Sequence, residues 1–140
     1  MSALDELQTG DKLETITLPP VSRIDLIKYA GASGDYNPIH TIDEEAEKAG
    51  LPGVIAHGMW TMGNLAKLFT PFYEHGFIQD YSIRFKGMVF LNDVITLHAE
   101  VENNDKEQAA FHVRAENQKG KAVIEGQVVF SKREIKAVTY

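Results

Sequence analysis

Hydrophobic positions change their period near the middle of the chain. Beyond it they recur every second residue. Ile95, Leu97, Ala99 and Val101 alternate with Thr96, His98, Glu100 and Glu102, and Phe111, Val113 and Ala115 alternate with His112, Arg114 and Glu116. Ile124, Val128 and Phe130 continue the theme. A period of two marks strands with one buried face. Asn103-Asn104-Asp105 and Gln118-Lys119-Gly120 supply turn residues between them. With Ile78 to Phe85 added, the pattern predicts four long antiparallel strands. Lys12 to Leu18 alternates well enough for a further, first strand, closed by Pro19-Pro20.

The first half reads as helical. Ser22-Arg23-Ile24-Asp25 has the form of a capping box and opens a short helix through Tyr29-Ala30, ending among Gly31, Ser33 and Gly34. Asp43 to Ala49 is a second short helix, acidic at its start and stopped by Gly50. After the Pro52-Gly53 turn, a helical pattern runs from Met59 up to Pro71. It is apolar nearly all round, with Thr61, Asn64 and Lys67 as a narrow polar stripe, which places it inside the molecule. The expected class is α+β: a curved antiparallel sheet wrapped round a long central helix. With 140 residues and no repeat, low-complexity run or long linker, residues 1–140 are expected to form a single domain.

Composition narrows the function classes. A net charge of −6 argues against nucleic acid or an anionic membrane as main partner, while leaving room for a local basic patch. The absence of cysteine removes disulfides, thiolate metal sites and cysteine nucleophiles. The first twenty residues carry neither a basic nor an apolar leader region, and no run approaches the roughly 18 apolar residues of a membrane span. A cytoplasmic protein is the expectation.

Candidate chemistry concentrates in Gly34-Asp35-Tyr36-Asn37-Pro38-Ile39-His40. Pro38 has no N–H and pushes Asn37 toward extended dihedrals, so Asp35 and His40 can converge across a bend. A carboxylate and an imidazole are what proton handling at neutral pH requires. Each residue alone also fits an ordinary turn, with Asp35 merely capping backbone N–H groups. The second constellation is His57-Gly58, at the first turn of the central helix. There N–H groups lack intrahelical partners, and glycine admits a ligand close to the backbone. That is an oxyanion hole, or else tight helix–strand packing. His57 reads as a structural group at the helix start. A metal site from Asp35, His40 and His57 lacks any His-Glu-x-x-His helix and is not expected. His98 and His112 fall on polar strand faces and are expected to be solvated, and His75 in a loop. Arg84 and Lys86 share a strand face that could meet phosphates or simply water.

These residues resemble a known family. Tyr29 to His40 is similar to the hydratase motif of the MaoC-like, (R)-specific enoyl-thioester hydratases and dehydratases, and Ala56-His57-Gly58-Met59 resembles that family's second signature. Ile83-Arg84-Phe85-Lys86-Gly87 with Val89-Phe90 resembles its later strand entry. The resemblance implies a hot-dog fold, a dimer whose sheets join, and reversible hydration of trans-2-enoyl thioesters to (3R)-3-hydroxyacyl thioesters, on coenzyme A or an acyl carrier protein. It implies Asp35 and His40 as the catalytic pair, with no cofactor. Gly58 receives the thioester carbonyl with His57 beside it, and Asn37 supports the loop. Trp60, Phe69 and Phe72 are expected along an acyl channel. A thioesterase on the same fold, or an acyl-thioester-binding subunit of an obligate heterodimer, are the alternatives. Two positions depart from the family pattern. Leu91-Asn92-Asp93 stands where many members have Pro-Gly-Asp, and Gly63 where some hydratases place serine.

Overall fold

The capping signal at Ser22 is realised in full, in a computed structural model that describes residues 3–133. Ser22 Oγ accepts the Asp25 N–H and the Asp25 carboxylate accepts the Ser22 N–H, opening helix α1 (Arg23–Ser33). Gly34 closes it at φ 75°, a left-handed conformation that glycine adopts without penalty. Helix α2 (Asp43–Lys48) follows, with three acidic residues in its first turn facing the positive end of the helix dipole.

The central helix differs from expectation. Its α-helical part, α3, covers only Gly58–Leu65, and Ala66–His75 continues as 3-10 turns. Two of its carbonyls are captured from the side: Asn64 Nδ2 donates to Trp60 O at 2.9 Å and Tyr81 Oη to Met62 O at 2.5 Å. Pro71 then removes an N–H and excludes an α-helical bond back to Lys67. The apolar pattern was a guide to burial but not to helix type. Thr61, expected on a polar stripe, is buried, and Met59 is exposed.

The sheet has the order β1-β3-β4-β5-β2, antiparallel throughout. Its long strands are β2 (Gly76–Phe85), β3 (Thr96–Asn104), β4 (Gln108–Glu116) and β5 (Ala122–Lys132). The expected first strand is present but interrupted. Only Ile16–Thr17 (β1) ladders regularly with β3, while Lys12 makes an isolated bridge to Glu100. The β3–β4 turn lies two residues later than the Asn103-Asn104-Asp105 signal. β3 runs through Asn104, and Asp105 Oδ1 accepts the N–H groups of Glu107 and Gln108.

Alternate residues of β3, β4 and β5 face the core. Phe69 of the 3-10 segment packs edge-on against Phe111 at 5.0 Å, and Phe72 against Phe130 at 6.2 Å. Val113, Gly126 and Ile83 stand in one row across β4, β5 and β2. The backbones of β5 and β2 approach so closely there that a Cβ on Gly126 would collide with the Ser82 carbonyl and lie 2.6 Å from Ile83 Cα.

On the other face, His98 and His112 keep 37% and 41% of their side chains in contact with solvent, and each also meets a carboxylate. His98 Nε2 lies 3.0 Å from Glu116 and His112 Nε2 2.8 Å from Glu125, each across a diagonal of the ladder. Lys86 meets the same Glu125 at 2.6 Å, and that bond, with His112 adding to it, holds the carboxyl below the usual glutamate range. His75 ends the 3-10 segment. Among the described residues no helix is long and apolar enough to cross a membrane.

Candidate active site

The bend after α1 is built from side-chain caps. Ser33 Oγ accepts the Asp35 N–H at 3.1 Å, Asp35 Oδ1 accepts the Asn37 N–H at 3.2 Å, and Asn37 Oδ1 accepts the Ile39 N–H at 3.2 Å. Pro38 opens a single 3-10 turn, Pro38–His40. The capping reading and the converging reading of Asp35 therefore hold together: Oδ1 caps the turn, and Oδ2 faces His40 Nε2 at 3.8 Å.

His40 is buried, and its Nδ1 lies 2.7 Å from the Ile55 carbonyl oxygen. A carbonyl only accepts, so Nδ1 carries the hydrogen and the neutral ring turns the Nε2 lone pair toward Asp35. The Ile55 N–H in turn donates to Ile39 O at 3.2 Å, fastening the His40 turn to the segment that leads into α3. Between Asp35 Oδ2 and Nε2 there is no direct hydrogen bond. A water about 2.8 Å from each would close a triangle on that 3.8 Å base.

His57 precedes α3 and lies under both groups. Its Nε2 donates to the Asp35 carbonyl at 3.1 Å, and its ring stacks on His40 with centroids 3.8 Å apart. Tyr29 meets it edge-on at 4.8 Å. Burial pushes the ring below the usual histidine range, with the neighbouring His40 adding to the effect, which keeps it neutral at pH 7. Ligand atoms of Asp35, His40 and His57 do lie within 4.8 Å of one another. However, the bonds to Ile55 O and Asp35 O occupy one nitrogen of each ring, and His57 Nδ1 is sealed from solvent. That leaves two open donors, fewer than the three protein ligands of a catalytic zinc.

Gly58 is the first residue of α3, so its N–H has no carbonyl within the helix to bond. The Phe85 ring lies directly over it: a Cβ on Gly58 would sit 2.6 Å from Phe85 Cε1. Trp60 is half-buried at the core edge, whereas Phe69 and Phe72 are core residues. At the first departure from the family pattern, Asn92 adopts φ 69° and Asp93 Oδ2 accepts the Phe90 N–H at 2.8 Å, so the turn is tight without a glycine.

Sequence reasoning missed Tyr29 as a support, Phe85 as the cover on Gly58, and the Ile55 carbonyl. The hydratase-like motif contains Tyr29 and the strand-entry motif contains Phe85, but nothing in the spacing says what they touch. Asn37→Ala should leave the chain folded, cost about 0.5–2 kcal/mol in urea unfolding through loss of its cap, and lower turnover less than any change at Asp35. Wild-type stability and activity in that variant would remove Asn37 from the loop's support.

Comparison with known proteins places this geometry. Residues 6–123 match the model of the MaoC like domain. The chain is 33% identical over 111 residues to the (R)-specific enoyl-CoA hydratase of Rhodospirillum rubrum, covering 76% of each chain. It is 34% identical over 109 residues to the fatty acid synthase beta subunit TOXC of Cochliobolus carbonum, covering 75% of this chain but spanning 5% of that subunit's length. Among solved structures it superposes on the unliganded R-hydratase PhaJ1 of Pseudomonas aeruginosa with a TM-score of 0.83 and 25% identity, covering 96% of this chain and 90% of the other. The five-stranded antiparallel sheet and its central helix are the hot-dog fold. With 118 of its 140 residues matched, from residue 6 to residue 123, the chain belongs to the MaoC-like domain family.

Proposed function

We propose that the protein adds water reversibly across the C2–C3 double bond of a trans-2-enoyl thioester, giving the (3R)-3-hydroxyacyl thioester. The observation that carries this reading is the pair of proton acceptors, Asp35 Oδ2 and His40 Nε2, 3.8 Å apart. A water donating one hydrogen to each presents its oxygen lone pair outward, toward C3. The thioester carbonyl makes C3 electrophilic, and negative charge gathers on the carbonyl oxygen as the C–O bond forms. The Gly58 N–H receives that charge, a role supported by its position at the positive end of α3. Asp35 takes the proton of the attacking water while His40 holds the other hydrogen, and the pair returns the proton to C2. Water is thus divided between C3 and C2 with nothing left over.

The acyl carrier is coenzyme A or an acyl carrier protein, and the single domain works as a homodimer. Among the described residues β2 ends the sheet and pairs on one side only, with β5, which leaves its ten-residue outer edge for a second copy. Tyr36, Met59 and Phe85, next to the catalytic groups in sequence or space, are exposed apolar side chains that such a partner could cover. Trp60 is the residue best placed to meet an acyl chain; Phe69 and Phe72 would do so only if the core opened around them.

The test is turnover across a series of trans-2-enoyl-CoA chain lengths, with an acyl-carrier-protein substrate alongside and the mass in solution measured. Loss of enoyl absorbance without thiol release is expected, from a dimer. Thiol release from saturated acyl-CoA would make it a thioesterase, and activity only with a second polypeptide would make it one half of a heterodimer.

A further inference from the structure

We infer that His57 is a positioning residue, which holds the Asp35 backbone and the His40 ring in a single arrangement through opposite features of one imidazole. This rests on Asp35 and His40 being the catalytic pair.

Two contacts carry it. The Nε2–H of His57 reaches 22 residues back along the chain to the Asp35 carbonyl, 3.1 Å away. The face of the same ring lies 3.8 Å from the His40 ring, with the planes 22° apart. Edge and face therefore fix the two partners that must share one water. The other elements around Asp35 do not do this. The caps from Ser33 and to Asn37 act within the turn and tie it to nothing outside. His40 is tied to Ile55, not to Asp35. His57 is the contact that joins the two halves across the gap.

The ring is chosen for this on three counts. It is 2% exposed, so it cannot wander. Tyr29 backs it edge-on at 4.8 Å, on a helix anchored by its own capping box. Its Nδ1 is buried without a partner among the described residues, so only the Nε2–H tautomer satisfies the Asp35 carbonyl. A neutral ring also lies flat against His40 without adding a charge beside the pair.

Two substitutions separate the features. His57→Phe keeps the flat ring and removes the donor; His57→Gln keeps a donor at the end of the side chain and removes the stacked ring. The positioning role predicts that His57→Phe lowers kcat for crotonyl-CoA by about 10- to 100-fold, the scale of a displacement near 1 Å, with KM little changed. His57→Gln should restore most of that loss. A residue that only fills space would give the reverse order, with Phe near wild type and Gln worse, and that order overturns the inference. Asp35→Asn in the same assay keeps the two readings apart. If it abolishes turnover while His57→Phe is fully active, only the role of His57 falls; if it leaves turnover intact, the catalytic pair falls and this inference with it. Nitrogen NMR of the histidines in the unaltered protein at pH 7 gives a check that needs no variant. His57 should be neutral with its hydrogen on Nε2, and a hydrogen on Nδ1 would overturn the assignment.

Discussion

Asp35→Asn should fold as the wild type does and hydrate crotonyl-CoA about 10²–10⁴-fold more slowly, the range lost with a positioned acid–base group. The amide keeps an oxygen for the Asn37 N–H, so the turn survives. Its nitrogen then replaces Oδ2 opposite His40 Nε2, 3.8 Å away, where it can only donate to the shared water and no longer accept from it. One substitution thereby turns one of the water's two acceptors into a donor. Half of the Asp35 side chain is exposed, 51%, so the change costs little stability. His40→Ala should be equally inactive but less clean. It orphans the Ile55 carbonyl and unstacks His57, at about 1–3 kcal/mol of stability for the unmet acceptor. Enoyl absorbance followed with time, beside a urea unfolding curve, checks both. Near-normal turnover in folded Asp35→Asn would end the case for the pair.

Gly126→Ala is expected to be strongly destabilising for a single added methyl within the sheet. The added carbon meets backbone on β2, the Ser82 carbonyl and Ile83 Cα, rather than a side chain that can swing away. Relief requires the β2–β5 ladder to open at the Ile83–Gly126 and Ser82–Gln127 pairs. Overpacking of this kind costs about 1–3 kcal/mol or more. Gly31→Ala is the matched contrast: nothing lies within 4 Å of its would-be Cβ, on the exposed side of α1, and helix propensity should make it stabilising by about 0.5–1 kcal/mol. Urea midpoints for the two variants should move in opposite directions. If Gly126→Ala unfolds where the wild type does, the close crossing of β5 and β2 is not a feature of the protein in solution.

The contrast between these glycines shows where the sequence was informative. Local rules sufficed wherever one residue's neighbours in the chain decide its conformation. Ser22 with Asp25, Gly34 after α1, and Asn37-Pro38 before the 3-10 turn all sit as their chemistry demands. The alternation of β3 and β4 gave the buried face directly. What failed to show was set by partners far away. The central helix turned to 3-10 geometry partly through Tyr81, 19 residues from the carbonyl it captures. Apolar periodicity also says nothing of which rings meet, and the contacts of Phe69 with Phe111 and of Phe72 with Phe130 come from strands distant in the chain. Likewise the pairing of Asp35 with His40 was readable from the bend between them, but the ring beneath them was not. His57 is held in that place by backbone bonds from Ile55 to Ile39 and from Ala56 to Val89.

That tie also bears on how relatives of this chain can diverge. The polypeptide leaves the junction after His40 and returns to it at Ile55, so the intervening stretch with α2 is an excursion that begins and ends at a fixed point. Only Ala46 of α2 is buried. The excursion can be lengthened, trimmed or exchanged between homologues while both motifs keep their spacing in three dimensions, provided a small apolar residue still plugs the Ala46 position.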